Sequence, residues 1–124
     1  MNNKILFVCL SLISTTLFAK SVSLEDLYSR YEKADYSSME LPEYQKTINF
    51  EAVVVNLDKN IQGDTLIEVA SPDDAEVAMA RVTPASSEEN KFTQLKVGQK
   101  VNLECYVEMT MGSEYLGLGE CKIK

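Results

Sequence analysis

Residues 47–55 read Thr-Ile-Asn-Phe-Glu-Ala-Val-Val-Val, and this stretch does most to decide the fold. Its apolar side chains recur at every second position, and those of one face are Ile48, Phe50, Ala52 and Val54. The opposite face begins polar and ends with Val53 and Val55. A strand that becomes apolar on both faces is typical of a long central strand that is covered on each side.

Four further stretches predict strands, and turn residues separate them. The predicted strands are 65–70, 75–82, 101–110 and 115–123. Turns are expected at 56–64 and 71–74, because Asp, Asn, Gly and Pro are concentrated there. In 101–110 the alternation places Met109 on the same inward face as Val107 and Cys105. Gly117 and Gly119 predict a bulge or bend in the last strand.

Two stretches predict helices. Residues 24–34 carry apolar side chains at helical spacing, and Ser23 with Asp26 resembles an N-terminal cap. The linker 35–42 ends at Pro42, which forbids a simple helical continuation. A short second helix is expected from Ser86, which forms a capping box with Glu89.

The order of these elements predicts the fold. One helix, three strands, a short helix and two strands match the OB-fold, a small Greek-key barrel. The predicted class is therefore all-β with minor α, a five-stranded OB-fold barrel (β-β-β-α-β-β) preceded by an N-terminal helix. We divide the chain of 124 residues into a signal peptide at 1–19, the helix and linker at 20–42, and the barrel at 43–124.

The first 19 residues have the layout of a cleaved secretory signal. Lys4 precedes a short apolar stretch, and small and polar residues lead to Ala19, where we expect the cut. That stretch is too short for the ~20 residues of a membrane-spanning helix, so no membrane anchor is expected. Cys9 lacks the small preceding residue of a lipid-modification site. The predicted location is the periplasm.

Removal of the signal leaves Cys105 and Cys121 as the two remaining cysteines. A hairpin centred on Ser113 places them eight residues from its centre on either side, so they face each other on neighbouring strands. Because exported proteins enter an oxidising space, we predict a structural disulfide between them. A redox-active pair or a thiolate metal site is the alternative, although redox pairs usually have closer spacing.

Several stretches resemble one family of exported bacterial OB-fold proteins, which is called "tRNA-anti-like". The resemblance covers about 24–124 and rests on residues of the helix, the first strand and the last hairpin: Tyr31, Ala34, Tyr44, Ile48-x-Phe50-x-Ala52-x-Val54, Leu95-x-Val97-Gly98-Gln99-x-Val101-x-Leu103-x-Cys105 and Glu120-Cys121-Lys122-Ile123. The chain departs from the family at Lys33 and Asp35, and its linker is longer. The resemblance implies a fold and a compartment.

Composition excludes several kinds of chemistry. The chain has no His, so neither a Ser-His-Asp triad nor an imidazole metal ligand can form. No activated nucleophile is indicated either, and we expect neither enzymatic activity nor a cofactor. Nineteen acidic residues against 12 basic ones give a net charge of −7, and loss of Lys4 with the signal makes it −8. Such a charge disfavours nucleic acid.

The predicted function is that of a monomeric binding module. OB barrels usually bind ligands over their second and third strands and the neighbouring loops. The candidate ligand-binding residues there are Asp58, Glu68, Arg81, Tyr106 and Tyr115. With an acidic surface, the expected partner is an envelope protein, a peptide or a small cationic ligand.

Two metal hypotheses remain beside it. Met109-x-Met111, with Met79 in a neighbouring strand, resembles the thioether pair of small periplasmic OB-fold copper and silver carriers, so a Cu(I)/Ag(I) carrier is the alternative function. Those carriers add a His and a Trp that this chain lacks, and Met109 is also in phase with core residues. Asp58-x-Asn60-x-Gln62-Gly63-Asp64 imitates half of a calcium loop, and a hairpin turn explains it better.

Overall fold

The structure is a computed structural model that describes residues 19–124. The predicted signal up to residue 18, with Cys9, lies outside the described residues. The described chain contains β1 (Lys20–Ser21), α1 (Leu24–Lys33), β2 (Thr47–Lys59), β3 (Thr65–Ala70), β4 (Ala80–Pro84), α2 (Glu89–Phe92), β5 (Lys100–Val107) and β6 (Leu116–Ile123). Short 3-10 turns at Ser38–Glu40 and Ser86–Glu88 complete the order.

Five strands close into a barrel in the order β2-β3-β4-β6-β5, with β2 also paired to β5. The length of β2 makes this closure possible, since 47–53 pairs with β5 and 53–59 pairs with β3. A bulge between Val54 and Asn56 falls in the half that pairs with β3, and bulges bend the strand that carries them. The all-β OB-fold prediction is confirmed, and β1 adds a short parallel strand beside β2.

Alternating apolar side chains fill the barrel, as hydrophobic burial requires. The inward face of β2 carries Ile48, Phe50, Ala52 and Val54, as the sequence predicts. Helix α1 buries Leu24, Leu27 and Tyr31 against the same core. Ser23 caps α1, because its Oγ accepts from the backbone N of Asp26 at 3.2 Å. The N-terminal helix is therefore packed onto the barrel.

The third barrel strand begins later than predicted. Its expected start was residue 75, but β4 begins at Ala80. Two successive turns occupy the intervening chain, in which the N of Asp74 donates to the O of Ser71 and the N of Val77 donates to the O of Asp74. Val77 is exposed, so the alternation of apolar residues at 75–79 does not correspond to a buried strand.

Three other boundaries also differ. The first long strand continues to Lys59, since its distal half gains β3 as a partner. The fourth barrel strand ends at Val107 rather than at residue 110. Ser86 begins a 3-10 turn and provides no side-chain cap, and the Glu89 carboxylate accepts instead from the hydroxyl of Thr65.

The cysteines lie at a bulge between β5 and β6. Glu104 pairs with Lys122 and Tyr106 pairs with Gly119, so Cys105 faces two residues, Glu120 and Cys121. Both sulfurs are buried and joined by a bond of 2.08 Å. The pairing agrees with the sequence prediction, since Leu103–Ile123 and Glu104–Lys122 keep the register centred on Ser113, and the bulge shifts the pairs nearer the loop by one residue.

Candidate functional site

Three candidate ligand-binding residues meet on the outer face of β3, β4 and β6. Glu68 and Arg81 are direct cross-strand partners, and Arg81 Nε donates to Glu68 Oε2 at 3.1 Å. The Arg81 guanidinium carbon lies 4.3 Å from the centroid of the Tyr115 ring, which is a cation–π contact. We call Glu68, Arg81 and Tyr115 the Arg81 cluster.

Local structure explains why these side chains converge. Glu68 lies between the inward residues Ile67 and Val69, so strand alternation turns it to the outer face. Arg81 is turned outward in the same way between two buried neighbours. Its partner on β6 is Gly117, and the guanidinium extends over the ring of Tyr115, two residues before Gly117 in the chain.

The Arg81 cluster can bind both charge and a planar group. The side chain of Arg81 is 47% exposed, whereas that of Glu68 is 17% exposed. Glu68 uses one of the five N–H donors of the guanidinium, and the others make no hydrogen bond within the described residues. A ligand at this face would contact the Arg81 guanidinium, the Glu68 carboxylate and the Tyr115 ring, which are neighbours on adjacent strands.

The other two predicted residues lie apart from the cluster. Asp58 is on the same outer face, but it pairs with Leu66, and its carboxylate accepts from the N of Lys59 at 2.7 Å. It borders a cleft of about 470 Å³ whose other lining residues are Leu57, Lys59, Thr65, Phe92 and Thr93. Tyr106 pairs with Gly119, on the far side of β6 from Arg81.

The methionines are placed differently from the sequence prediction. Met109 was expected in phase with the core, but β5 ends two residues earlier, and its side chain is 65% exposed. Met111 is 68% exposed, whereas Met79 is buried and does not join them. A third exposed methionine, Met39, lies on the segment that pairs with this loop. Sequence reasoning missed it, because no local pattern relates residues seventy positions apart.

The Asp58–Asp64 segment forms a hairpin turn. The N of Asp64 donates to Oδ1 of Asn60 at 2.9 Å, and Gly63 takes a φ of 87°. A positive φ of this kind is the conformation that Gly adopts without steric cost. Within residues 19–124, no group of three or more His, Cys, Asp or Glu is arranged to hold a metal ion.

Helix α1 holds the 108–115 loop beside the Arg81 cluster. The hydroxyls of Tyr28 and Tyr31 donate to the backbone carbonyls of Glu114 and Ser113, both at 2.6 Å. Burial and the charge of Glu32 raise the pKa of Tyr28 to about 12, so this donor keeps its proton at physiological pH. The loop that carries Tyr115 is thus tied to the helix.

Comparisons with known proteins show a similarity of fold and no similarity of sequence to a known family. Neither a protein-family model nor a curated protein matches this sequence. A solved structure from Klebsiella pneumoniae, named a "putative nucleic acid-binding lipoprotein", superimposes with a TM-score of 0.59 and 18% identity. The match covers 86% of this chain and 92% of that one. In the part of the chain that the structure describes, no helix is long and apolar enough to cross a membrane.

Proposed function

We propose that this acidic chain is a periplasmic binding module for an envelope protein, a peptide or a small cationic ligand, and that the Arg81 cluster is part of its binding face. The observation that carries the proposal is the convergence of Glu68, Arg81 and Tyr115 on one outer face. This face belongs to the second and third strands of the barrel, where OB-folds usually bind.

The exported state is part of the same proposal. The layout of residues 1–19, the Cys105–Cys121 disulfide and the resemblance to the "tRNA-anti-like" family support it. The mass of the protein purified from the periplasm should correspond to a chain that starts near Lys20. An acyl chain on Cys9 would contradict this assignment.

Nucleic acid is the competing candidate ligand, because the structural neighbour is named as a nucleic acid-binding protein. The net charge of −7 argues against phosphate binding here. We expect no measurable binding of single-stranded DNA in fluorescence anisotropy at moderate salt. An affinity tighter than about 1 μM, which exceeds ordinary non-specific binding, would overturn this expectation.

Site-specific photo-crosslinking in intact cells tests the binding face. A photoreactive residue at Asp58, at the edge of the face, should give a discrete adduct in the envelope. The same residue at Val97, which is exposed on the turn before β5, serves as the matched control. The adduct should disappear when Arg81→Ala and Tyr115→Ala are introduced, and its persistence would contradict a role for the Arg81 cluster.

The alternative function is a Cu(I)/Ag(I) carrier that uses Met109 and Met111. The exposure of both side chains supports it, since thioethers that bind a soft ion must be accessible. We expect weak or no Ag(I) binding, because the chain lacks His. Tight binding that is lost in Met109→Ala would favour the carrier.

A further inference from the structure

The methionine patch, which we define as Met39, Met109 and Met111, is an unusual surface for this protein. The three side chains are 49%, 65% and 68% exposed. Methionine is usually buried, and clustered apolar exposure marks interaction sites more often than scattered single residues do. The patch lies outside the Arg81 cluster, although Tyr115 belongs to the same loop as Met109 and Met111.

Backbone pairing brings the three methionines to one side. Ser37 and Met111 form an antiparallel bridge, in which the N of Ser38 donates to the O of Thr110 at 2.9 Å and the N of Gly112 donates to the O of Tyr36 at 2.8 Å. The segments that carry Met39 and the Met109–Met111 pair are therefore hydrogen-bonded neighbours.

The residues between the methionines point inward and hold the patch in place. Ser38 is fully buried, and its Oγ donates to the O of Glu108 at 2.8 Å and accepts from the N of Thr110 at 2.7 Å. The hydroxyl of Thr110 accepts from the N of Gly117 at 2.9 Å. Met39 follows Ser38 in the 3-10 turn Ser38–Glu40, and Met109 and Met111 flank Thr110 in the loop; all three methionine side chains are exposed to solvent.

Acidic side chains predominate on the segments that carry the patch, and we call the exposed ones the carboxylate rim. The segments 34–45 and 108–121 contain six carboxylates, and the basic residues next to them are Lys33, Lys46 and Lys122. Glu43 is buried against Arg30, and the other five are exposed: Asp35, Glu40, Glu108, Glu114 and Glu120. An apolar surface with such a rim is complementary to a partner that carries both apolar groups and positive charge.

We propose that the methionine patch docks a cationic amphipathic segment of a partner protein, in which Lys or Arg side chains accompany Leu-like side chains. This inference rests on the proposed function as a binding module and supplies its partner chemistry. Flexible thioether side chains can repack around apolar groups of different shapes. The carboxylate rim selects a basic segment and repels an acidic one.

A labelled synthetic peptide of alternating Leu and Lys provides the probe, and fluorescence anisotropy on the full mature protein provides the readout. The variant Met39→Ser/Met109→Ser/Met111→Ser should bind this peptide at least about tenfold more weakly than the wild type. The matched control is Ile61→Ser, which removes a fully exposed apolar side chain from the turn between β2 and β3 and should bind as the wild type does. A Leu-Glu peptide should not bind.

Substitution by leucine separates a docking surface from a metal site. Met39→Leu/Met109→Leu/Met111→Leu keeps the apolar surface and should keep peptide binding, whereas it removes the three exposed thioethers and leaves the buried one of Met79. Loss of peptide binding in this variant, equal binding by the serine variant, or equal weakening by Ile61→Ser would each overturn the proposal. Envelope crosslinks that depend on Arg81 would then still support the proposed function.

Discussion

Folding shifts the pKa values of two carboxylates of this protein in opposite directions, because their neighbours differ. Glu43 is buried and receives Arg30 Nη1 and Nη2, both at 2.9 Å, and these bonds lower its pKa. Glu108 receives no such donor within the described chain; its residue is largely exposed, but partial desolvation of the carboxylate, followed by the charge of Glu120, raises its pKa. The two residues should therefore affect stability with opposite dependence on pH.

Glu43→Gln should destabilise the protein by about 2 kcal/mol at pH 7, the usual range for hydrogen bonds to a charged group. A carboxyl whose pKa is lowered by folding adds stability above its unfolded pKa of about 4.3, and this stability is lost as the pH falls through the folded value. Urea unfolding at pH 7 and in acid should show a cost that shrinks in acid. Glu25→Gln, an exposed change on α1, the helix that carries Arg30, is the control, and an equal cost there would refute the role of the ion pair.

Glu108→Gln should stabilise the protein at neutral pH. A carboxyl whose pKa is raised by folding favours the native state while protonated, and this stability declines as the pH rises above about 4.3. Because the side chain is exposed to screening by solvent, the gain should remain below about 1 kcal/mol. The gain should vanish in acid, and the same urea series measures it. A gain that persists in acid would show that charge is not its cause.

At the scale of elements, the main tertiary contact is the one by which α1 holds the loop before β6. Sequence periodicity identified the helix and its cap, and the structure places it from Leu24 to Lys33. The loop lacks regular pairing with β5 after Val107, so its order depends on the tyrosine hydroxyls of α1 and on Ser38. This attachment links the helix to both candidate binding surfaces.

Tyr31→Phe tests this attachment, because it removes one hydroxyl and keeps the buried ring. Loss of the bond to the O of Ser113 should cost about 1 kcal/mol and leave a partly buried carbonyl without its donor. Amide hydrogen exchange should speed up in 108–115 more than in β2. Tyr44→Phe is the control, since the Tyr44 hydroxyl makes no hydrogen bond among the described residues. Unchanged exchange in the loop would show that packing alone orders it.

At the scale of the whole molecule, the disulfide joins the two strands that complete the barrel. Cys105 and Cys121 are both fully buried in the core. A bridge over a loop of about 15 residues contributes on the order of 3 kcal/mol by restricting the unfolded chain. Its burial makes it a structural bond that reductant reaches slowly.

Cys105→Ala/Cys121→Ala should therefore cost roughly 2–4 kcal/mol and leave a β-rich protein. Chemical unfolding measures the cost, and circular dichroism checks the secondary structure. Free-thiol labelling of the native mature protein should detect no reactive cysteine. Two reactive thiols per chain would show that the β5–β6 register is wrong.

Local patterns in the sequence were sufficient for much of the fold. Strand alternation, helical spacing and turn residues are short-range consequences of backbone geometry, so they identified α1, β3, the start of β2 and β6 without any tertiary information. They failed at 75–79, where successive turns take the place of the predicted strand, and at Met109, because the strand ends at Val107. Whether an alternating stretch pairs depends on a neighbour that is distant in sequence.

The sequence by itself determined the five-stranded order, the inward face of β2 and the choice of Cys105 and Cys121 as partners. Only the tertiary structure decided which surface residues meet. The contacts of Glu68, Arg81 and Tyr115 depend on barrel closure, and the grouping of Met39 with Met111 depends on a bridge between distant segments. Side-chain periodicity is a local property of the backbone, whereas a surface site is assembled by long-range strand pairing that no local pattern encodes.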